Sequence, residues 1–346
     1  MTRANAGKAG FGQVAASFLD QSGLPFADVL NAGDIASAFG QRDAMFASDA
    51  IYSTPLVLWA FLAQVLRDGK GAACAAAVAD IATYTQQAGR RVPSGDTGDY
   101  CRARAKLDPA ALRDLVRQSA AQLDAQARDE WLWHGRHAKL VDGFTFTMPD
   151  TPANQQVFPQ QNTQAPGVGL PIARACAVLS LSTAAIHDLA VGPYVGKETG
   201  ETALLRTMLD GFAAGDVVVF DRYYCSFMML ALLKSRGADV CTRLHQCRSD
   251  DFRQGRPLGS FDRLVTWTRP KCPAWMSPEQ YAQIPETLTL RMLQFDVRVP
   301  GRRVETITIV TTLTDPLVYP KEAIAELYGF RWNVELDIRD VKQTLG

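Results

Sequence analysis

The sequence predicts an α/β protein in which a mixed-sheet core follows an all-helical N-terminal region and is interrupted by a β-rich insertion. Residues 10–135 are rich in Ala, Leu, Gln and Arg, and their apolar positions recur every three or four residues, which is the period of a helix. From His137 onward, short strand-like runs alternate with helical segments, an order typical of mixed α/β cores. Residues 250–310 then consist of short runs containing Thr, Val and Ile, which indicates additional strands.

The core elements can be placed in order along the chain. The first strand follows His137, where alternate residues share one face: Leu140, Asp142, Phe144 and Phe146. Residues 155–169 are rich in Gln, Pro and Gly and are predicted to form a loop. The elements after this loop are one or two strands over 174–195, a helix over 201–212, a buried strand over 216–221, a helix over 224–236 and a strand over 238–244. A last helix is predicted from Pro320 to the C-terminus.

These elements divide the chain into four predicted segments. They are a helical N-terminal region over 1–135, the first part of the core over 136–245, a β-rich basic insertion over 246–315, and a C-terminal helix over 316–346 that completes the core.

Composition and charge exclude several classes of protein. At 346 residues and 47% apolar content the chain is globular rather than disordered or fibrous. Its 36 basic and 36 acidic side chains cancel, which argues against a small basic protein that coats DNA. The charge is nevertheless uneven, with a net −5 over 142–221 and +7 over 222–303. An acidic segment followed by a basic one suits a protein that holds cations beside a polyanion.

The cysteines and the apolar runs indicate the compartment. Seven scattered cysteines form no CxxC pair, and the first ten residues do not resemble a secretory signal. No apolar run approaches the roughly 20 residues that a membrane helix needs. We therefore expect a cytoplasmic protein with no membrane partner.

The C-terminal helix carries the most informative motif. At about 100° per residue, Tyr328, Arg331, Glu335 and Lys342 fall within a sector of about 60°, with Arg339 beside them. A separate apolar stripe is formed by Leu327, Phe330, Val334, Ile338, Val341 and Leu345. The alternative is an ordinary amphipathic helix whose Arg331–Glu335 pair contributes a few tenths of a kcal/mol.

This motif resembles the signature of the insertion-sequence-four (IS four) family of bacterial DDE transposases, Tyr-(2)-Arg-(3)-Glu-(6)-Lys. The similarity extends upstream to Leu140-Val-Asp142-Gly-Phe, which is like the context of the family's first catalytic aspartate. It also includes Val217-Val-Val-Phe-Asp221-Arg-Tyr-Tyr, which is like the second, and a Tyr-Cys-Arg-Ala-Arg segment over 100–104. Taken alone, either aspartate would be better explained as a turn residue at the end of a strand.

The resemblance implies an RNase H-like catalytic core with a defined set of site residues. Asp142, Asp221 and Glu335 are expected to be catalytic and to hold two Mg²⁺ ions, for which Mn²⁺ could substitute. Carboxylates from distant segments suit Mg²⁺, which takes oxygen ligands and keeps several waters. The residues expected to contact DNA are Tyr328, Arg331, Lys342, Arg222 and Arg339.

The resemblance also implies a function: a DNA transposase of an insertion sequence that cuts and joins element ends by metal-dependent phosphoryl transfer. The expected partners are double-stranded DNA, namely terminal inverted repeats and target DNA, and a second copy in a homodimeric synaptic complex on the bacterial nucleoid. The helical region over 1–135 is a candidate for DNA-end binding. One alternative is a truncated DNA-binding remnant that inhibits an intact transposase, suggested by the end of the chain at Gly346. Another is a structure-specific nuclease, which would keep the carboxylates without needing the Tyr/Arg/Lys face.

Two weaker features remain open. Four residues could in principle assemble a zinc site, although their spacing fits no common pattern and small core cysteines are an alternative: Cys241, His245, Cys247 and Cys272. Trp267 and Trp275 could stack on an extruded base, or could pack within a β-core.

Overall fold

The computed structural model describes residues 18–19, 24–40, 50–67, 69–165, 167–297 and 305–331. Two compact units are present, one ending at Ser119 and the other beginning at Ala120. Within the described residues there are eleven α-helices and nine strands, so the predicted α/β class is confirmed. None of the described helices is both long enough and apolar enough to cross a membrane.

The first unit is helical wherever it is described, as predicted. Its core is built from side chains on successive helices, including Ile35, Val57, Ile81 and Tyr100, all of them fully buried. The helices are α1 (Phe26–Val29), α2 (Ala32–Phe39), α3 (Thr54–Val65), α4 (Cys74–Gln87) and α5 (Thr97–Arg104), and α6 (Pro109–Ala125) follows them. Asp108 caps α6 by accepting from the amide of Ala111 at 2.8 Å, as expected for an Asp-Pro helix start.

A nine-stranded mixed sheet forms the centre of the second unit. Its strands are β1 (Ala138–Thr147), β2 (Ile172–Ser180), β3 (Ile186–Pro193), β4 (Val217–Phe220), β5 (Asp239–Arg243), β6 (Arg256–Gly259), β7 (Asp262–Thr268), β8 (Thr287–Val297) and β9 (Glu305–Thr311). They lie in the order β3-β2-β1-β4-β5-β9-β8-β7-β6. Strands β1, β4 and β5 run parallel, and the other pairs are antiparallel. The continuous apolar sequence of β4 fits its position, because central parallel strands are buried on both faces.

Helices cover this sheet. They are α7 (Pro152–Val157), α8 (Glu201–Arg206), α9 (Phe227–Lys234), α10 (Pro278–Gln283) and α11 (Lys321–Gly329). One large apolar cluster joins residues of α8 and α9 to the sheet face that carries Val141 and Phe220. The sequence Phe-Met-Met-Leu-Ala-Leu-Leu of α9 is apolar on nearly every side, which explains why this helix is buried.

Several elements differ from the sequence prediction. The helix predicted over 201–212 is α-helical only to Arg206, and the helix predicted from Pro320 to the C-terminus ends at Gly329. Part of the predicted loop over 155–169 belongs to α7, because Thr151 caps a helix that has Pro152 at its first position. The predicted helix over 224–236 begins only at Phe227, where Ser226 accepts from the amide of Met229. The insertion strands β6, β7 and β8 pair in series with the core sheet, so no break in hydrogen bonding separates them from it. The proposed boundaries between core and insertion remain predictions.

Ion pairs secure the amino ends of the parallel strands. Lys139 on β1 pairs with Asp216, just before β4, at 3.0 Å, and both side chains are buried. Arg136, just before β1, pairs with Asp239 at the start of β5 at 2.8 Å and also donates to the carbonyl oxygen of Gly215 at 2.7 Å. The buried Lys139 and the half-buried Arg136 thus fix the starts of three neighbouring strands, which sets the register at their other ends.

Asp239 provides a test of these contacts through pH. Burial alone would raise its pKa, but hydrogen bonds from Lys234, Thr312 and Arg136 outweigh burial and lower the pKa. A lowered folded-state pKa gives stability that is present above the unfolded value of about 3.9 and is lost as pH falls through the folded value. We expect Asp239→Asn to lower the free energy of unfolding by about 2 kcal/mol at pH 7, and by less below about pH 4.

Urea unfolding of both chains at several pH values measures this difference. The control is Asp28→Asn at an exposed helix position, which should leave stability unchanged to within about 0.5 kcal/mol. A loss of stability for Asp239→Asn that stays constant from pH 7 to pH 3.5 would contradict the role of its charge.

Candidate active site

Two aspartates lie side by side at the carboxyl ends of the central parallel strands. Asp142 lies within β1, and Asp221 directly follows β4. The register pairs Leu140 with Val219, so two residues further along each strand Asp142 comes level with Asp221. The carboxyl edge of neighbouring parallel strands is where α/β sheets place their ligand sites. The structure therefore brings together two of the three predicted catalytic carboxylates.

The two aspartates face away from the α8–α9 side of the sheet. Val141 and Phe220, which precede them, belong to the apolar cluster on that side. Because successive side chains of a strand point to opposite faces, Asp142 and Asp221 lie on the other face. Helix α11, which carries Tyr328, contacts β5, the strand next to β4.

Local hydrogen bonds fix Asp221 at the end of its strand. Its carboxylate accepts from the amide of Tyr223 at 2.8 Å, which caps the 3₁₀ turn Arg222–Tyr224. Its carbonyl oxygen accepts from the hydroxyl of Thr242 on β5 at 2.9 Å. The carboxylate of Asp142 accepts from the amide of Gly143 at 2.9 Å. The strand ends are therefore rigid supports for both carboxylates, which a site for phosphoryl transfer requires.

The predicted motif on the last helix is described only in part. Tyr328 is 2% exposed, and burial raises its pKa to about 12, with the positive charge of Arg331 opposing this rise. The guanidinium of Arg331 lies 6.0 Å from the centre of the Tyr328 ring, within the range of a cation–π contact. Glu335, Arg339 and Lys342 lie outside the described residues. Tyr328 therefore packs as a core side chain, although its angle around the predicted helix placed it on the polar face.

A third carboxylate, which the sequence analysis missed, adjoins the pair. Glu201 is the first residue of α8 and is half-buried. Burial raises its pKa, hydrogen bonding from Tyr224 lowers it, and the nearby charge of Asp221 raises it further. Glu201 accepts from the hydroxyl of Tyr224 at 3.2 Å. No sequence pattern distinguishes this residue, because glutamate is common in the first turn of any helix.

The donor set at this edge suits a hard divalent cation. Carboxylate oxygens are the ligands that Mg²⁺ prefers, and Asp142 and Asp221 supply two carboxylates at neighbouring positions. Among the residues that the structure describes, no group of three His, Cys, Asp or Glu side chains is arranged to hold a metal ion. The pair therefore fits an ion completed by a further ligand, and the predicted third ligand, Glu335, lies outside the described part of the chain.

A polar groove lies further along the sheet. It has a volume of about 780 Å³ and is lined by residues of β6, β7, β8 and the loop after β5, among them Arg248, Arg256 and Trp267. The guanidinium of Arg248 lies 3.6 Å from the centre of the Trp267 ring. Desolvation by burial lowers the pKa of Arg248. A stacked Arg–Trp pair beside an exposed arginine can bind phosphates and stack on bases.

The remaining predicted features can be placed. Arg222 is exposed directly after Asp221. Cys241 is buried on β5 while Cys247 and Cys272 are exposed, and the described residues contain no cluster with His245 that could hold zinc. Both candidate tryptophans, Trp267 and Trp275, pack partly against the apolar cluster of the sheet.

Comparisons with known proteins agree with this geometry. Residues 133–346 match the family model described as the transposase DDE domain. The chain is 24% identical over 244 residues to the transposase InsG for insertion sequence element IS4 of Escherichia coli strain K12, which covers 70% of this chain and 52% of that protein. It is 26% identical over 138 residues to the putative transposase InsZ of the same organism, covering 40% of this chain and 45% of that protein.

The chain thus spans about half the length of the curated relatives it matches. The matched family region contains both strands that carry the aspartates, the helix that carries Tyr328, and Arg331 just after that helix. These matches confirm the resemblance that the motifs predicted. The chain belongs to the transposase DDE domain family.

Proposed function

We propose that this chain is a DNA transposase of a bacterial insertion sequence, which cuts and joins the ends of its element by phosphoryl transfer. The adjacency of Asp142 and Asp221 at the carboxyl edge of the sheet supports this proposal most directly. Two neighbouring carboxylates repel each other, which lowers the stability of the fold. A function that requires both carboxylates explains why they lie together. The names of the relatives favour a transposase over an inhibitory remnant.

The residues of the proposed site would have different roles. Asp142, Asp221 and Glu335 would hold two divalent ions, which activate the attacking oxygen and stabilise the leaving oxygen of an in-line displacement. The rigid ends of β1 and β4 would fix the first two carboxylates before DNA arrives. Arg331, Lys342, Arg339 and Arg222 would bind phosphates next to the cut, where a guanidinium can make two hydrogen bonds to one phosphate. Tyr328, a buried core side chain, would orient the helix and would not itself contact a phosphate.

The substrates would be the terminal inverted repeats of the element and a target DNA. Two copies of the chain, each bound to one end, would form the synaptic complex. A protein with this activity would be found on the bacterial nucleoid. The basic groove around Arg248, Arg256 and Trp267 would contact the DNA backbone beyond the cut, because it combines cations with an aromatic face.

The proposed function predicts the effect of replacing either of the two aspartates. Asp142→Asn and Asp221→Asn should each reduce release of a 3′-hydroxyl at the element end by at least about 10³-fold, because an amide does not replace a carboxylate as a cation ligand. Binding to end DNA should change by less than about threefold. Gel assays of cleavage with Mg²⁺ or Mn²⁺ and fluorescence anisotropy with labelled end DNA measure the two quantities.

Asp150→Asn is the matched control, since Asp150 lies in an exposed loop after β1. Its cleavage activity should equal that of the unchanged chain. Retention of full cleavage by either site variant would contradict the proposal. Cleavage of any branched DNA without joining of ends would instead identify a structure-specific nuclease.

Another prediction concerns the polar groove lined by Arg248, Arg256 and Trp267. Arg256→Ala should weaken binding of end DNA by about 10-fold and reduce the slope of log affinity against log salt by about one, as expected for the loss of one phosphate contact. Arg248→Ala should act in the same direction and also expose the Trp267 ring. Anisotropy titrations between 50 and 300 mM salt provide the slopes.

Lys197→Ala serves as the control, because Lys197 is an exposed cation in the loop after β3. It should leave both affinity and slope unchanged. Equal effects of Arg256→Ala and Lys197→Ala would show that the groove contributes only its overall charge.

A further inference from the structure

We propose that Glu201 is a positioning residue of the phosphoryl-transfer site, which reaches the Asp142–Asp221 pair across Gly143 and holds Asp142 and the water around it in place for cation binding. This inference rests on the proposed function and extends it by one residue. Two observations carry it: the Glu201 carboxylate fills the space that a side chain at Gly143 would occupy, and it accepts a hydrogen bond from Tyr224. In addition, the usual structural role of a glutamate in a helix does not explain this arrangement.

The position of Gly143 shows how Glu201 comes close to the site. A Cβ atom added to Gly143 would lie 2.1 Å from Cδ, 2.4 Å from Cγ and 2.4 Å from Oε2 of Glu201. Gly143 lies within β1, so its backbone does not need glycine for conformational reasons. The missing side chain therefore provides the space that the Glu201 carboxylate fills, one residue after Asp142.

Glu201 and Asp142 lie on opposite faces of the sheet, next to Gly143 of β1. Gly143 pairs with Cys176 in the register, and Cys176 belongs to the apolar cluster of the α8–α9 face. Asp142 points to the other face, as its neighbour Val141 shows. The Asp142 carboxylate accepts from the amide of Gly143 at 2.9 Å, so the two carboxylates adjoin the same residue.

Buried side chains hold Glu201 in this orientation. The Tyr224 hydroxyl lies 3.2 Å from Oε2 of Glu201 and 3.5 Å from the Cys176 sulfur. Tyr224 itself is fully buried. The positive charge of Arg174 acts on Glu201 as well, and Arg174 is fixed by donating to the carbonyl oxygen of Thr199 at 3.2 Å. The carboxylate is thus oriented by groups that cannot easily move.

A structural role alone does not explain this arrangement. A glutamate in the first turn of an exposed helix stabilises it by about 0.3–1 kcal/mol through the helix dipole. Glu201 is instead half-buried beside the charge of Asp221, an arrangement that opposes its ionisation. A glutamine would fill this space and accept from Tyr224 without that cost, so the negative charge is explained by what it does for its neighbours.

The test compares Glu201→Gln with the unchanged chain. Glutamine keeps the shape and the contact with Tyr224 but removes the charge. We expect Mn²⁺ binding to the full chain, measured by electron paramagnetic resonance with and without end DNA, to weaken about 10-fold. Cleavage at saturating DNA should fall about 10- to 100-fold, and more Mg²⁺ should be needed for half-maximal rate. Affinity for end DNA and the melting temperature should stay within about twofold and about 3 °C of the unchanged chain.

A double-variant cycle tests the route through Gly143. Gly143→Ala should displace the Glu201 carboxylate and reproduce the loss of Mn²⁺ binding seen in Glu201→Gln. In a chain that already carries Glu201→Ala, the atoms that the new methyl group would meet are gone. Adding Gly143→Ala to that chain should therefore change Mn²⁺ binding and cleavage by less than about twofold.

The outcomes separate this inference from the proposed function. If Asp142→Asn loses Mn²⁺ binding and cleavage while Glu201→Gln keeps both, Glu201 is a structural residue and only the inference fails. If Gly143→Ala is equally harmful in the Glu201→Ala chain, the route across Gly143 is wrong. If Asp142→Asn keeps Mn²⁺ binding and cleavage, the proposed function itself is overturned.

Discussion

The parallel pairing of β1 with β4 is the constraint on which the site depends. It places Asp142 and Asp221 at neighbouring strand ends. Local hydrogen bonds orient each carboxylate, but they do not align the two strands. The register is fixed at the opposite ends of the same strands, where Lys139 pairs with Asp216 and Arg136 with Asp239. One buried and one half-buried cation at the amino edge thus secure an acidic carboxyl edge.

Buried hydrogen bonds also hold the segment before α11, the helix that carries Tyr328 of the predicted motif. Arg291 on β8 is 1% exposed and makes two hydrogen bonds to the Asp262 carboxylate, at 2.8 and 2.5 Å. Its remaining nitrogen donates to the carbonyl oxygen of Tyr319 at 2.5 Å, just before α11. Arg136 donates to the Tyr319 hydroxyl at 3.0 Å, which links the start of β1 to this segment. The insertion strands therefore help to position the helix that carries Tyr328.

The sequence predicted what local patterns encode. The period of two around Leu140, the apolar run of β4 and the helical N-terminal region are all properties of short windows, and the structure confirms them. The continuity of the insertion with the core sheet was not predictable in this way, because strand order is decided by pairing between distant residues. Glu201 was missed for a related reason. Its role depends on the absence of a side chain at Gly143, which is 58 positions away and visible only in three dimensions.

The sheet order also separates the two parts of the surface that would meet DNA. From β4, which ends at Asp221, to β7, which carries Trp267, there are four strand spacings, or about 19 Å at roughly 4.8 Å each. At about 3.4 Å per base pair this distance corresponds to about six base pairs of duplex. Trp267 on β7 therefore lies several base pairs along the duplex from the phosphate that the aspartates would act on. Contacts of β7 with the DNA and chemistry at the cut would then belong to different strands of one sheet.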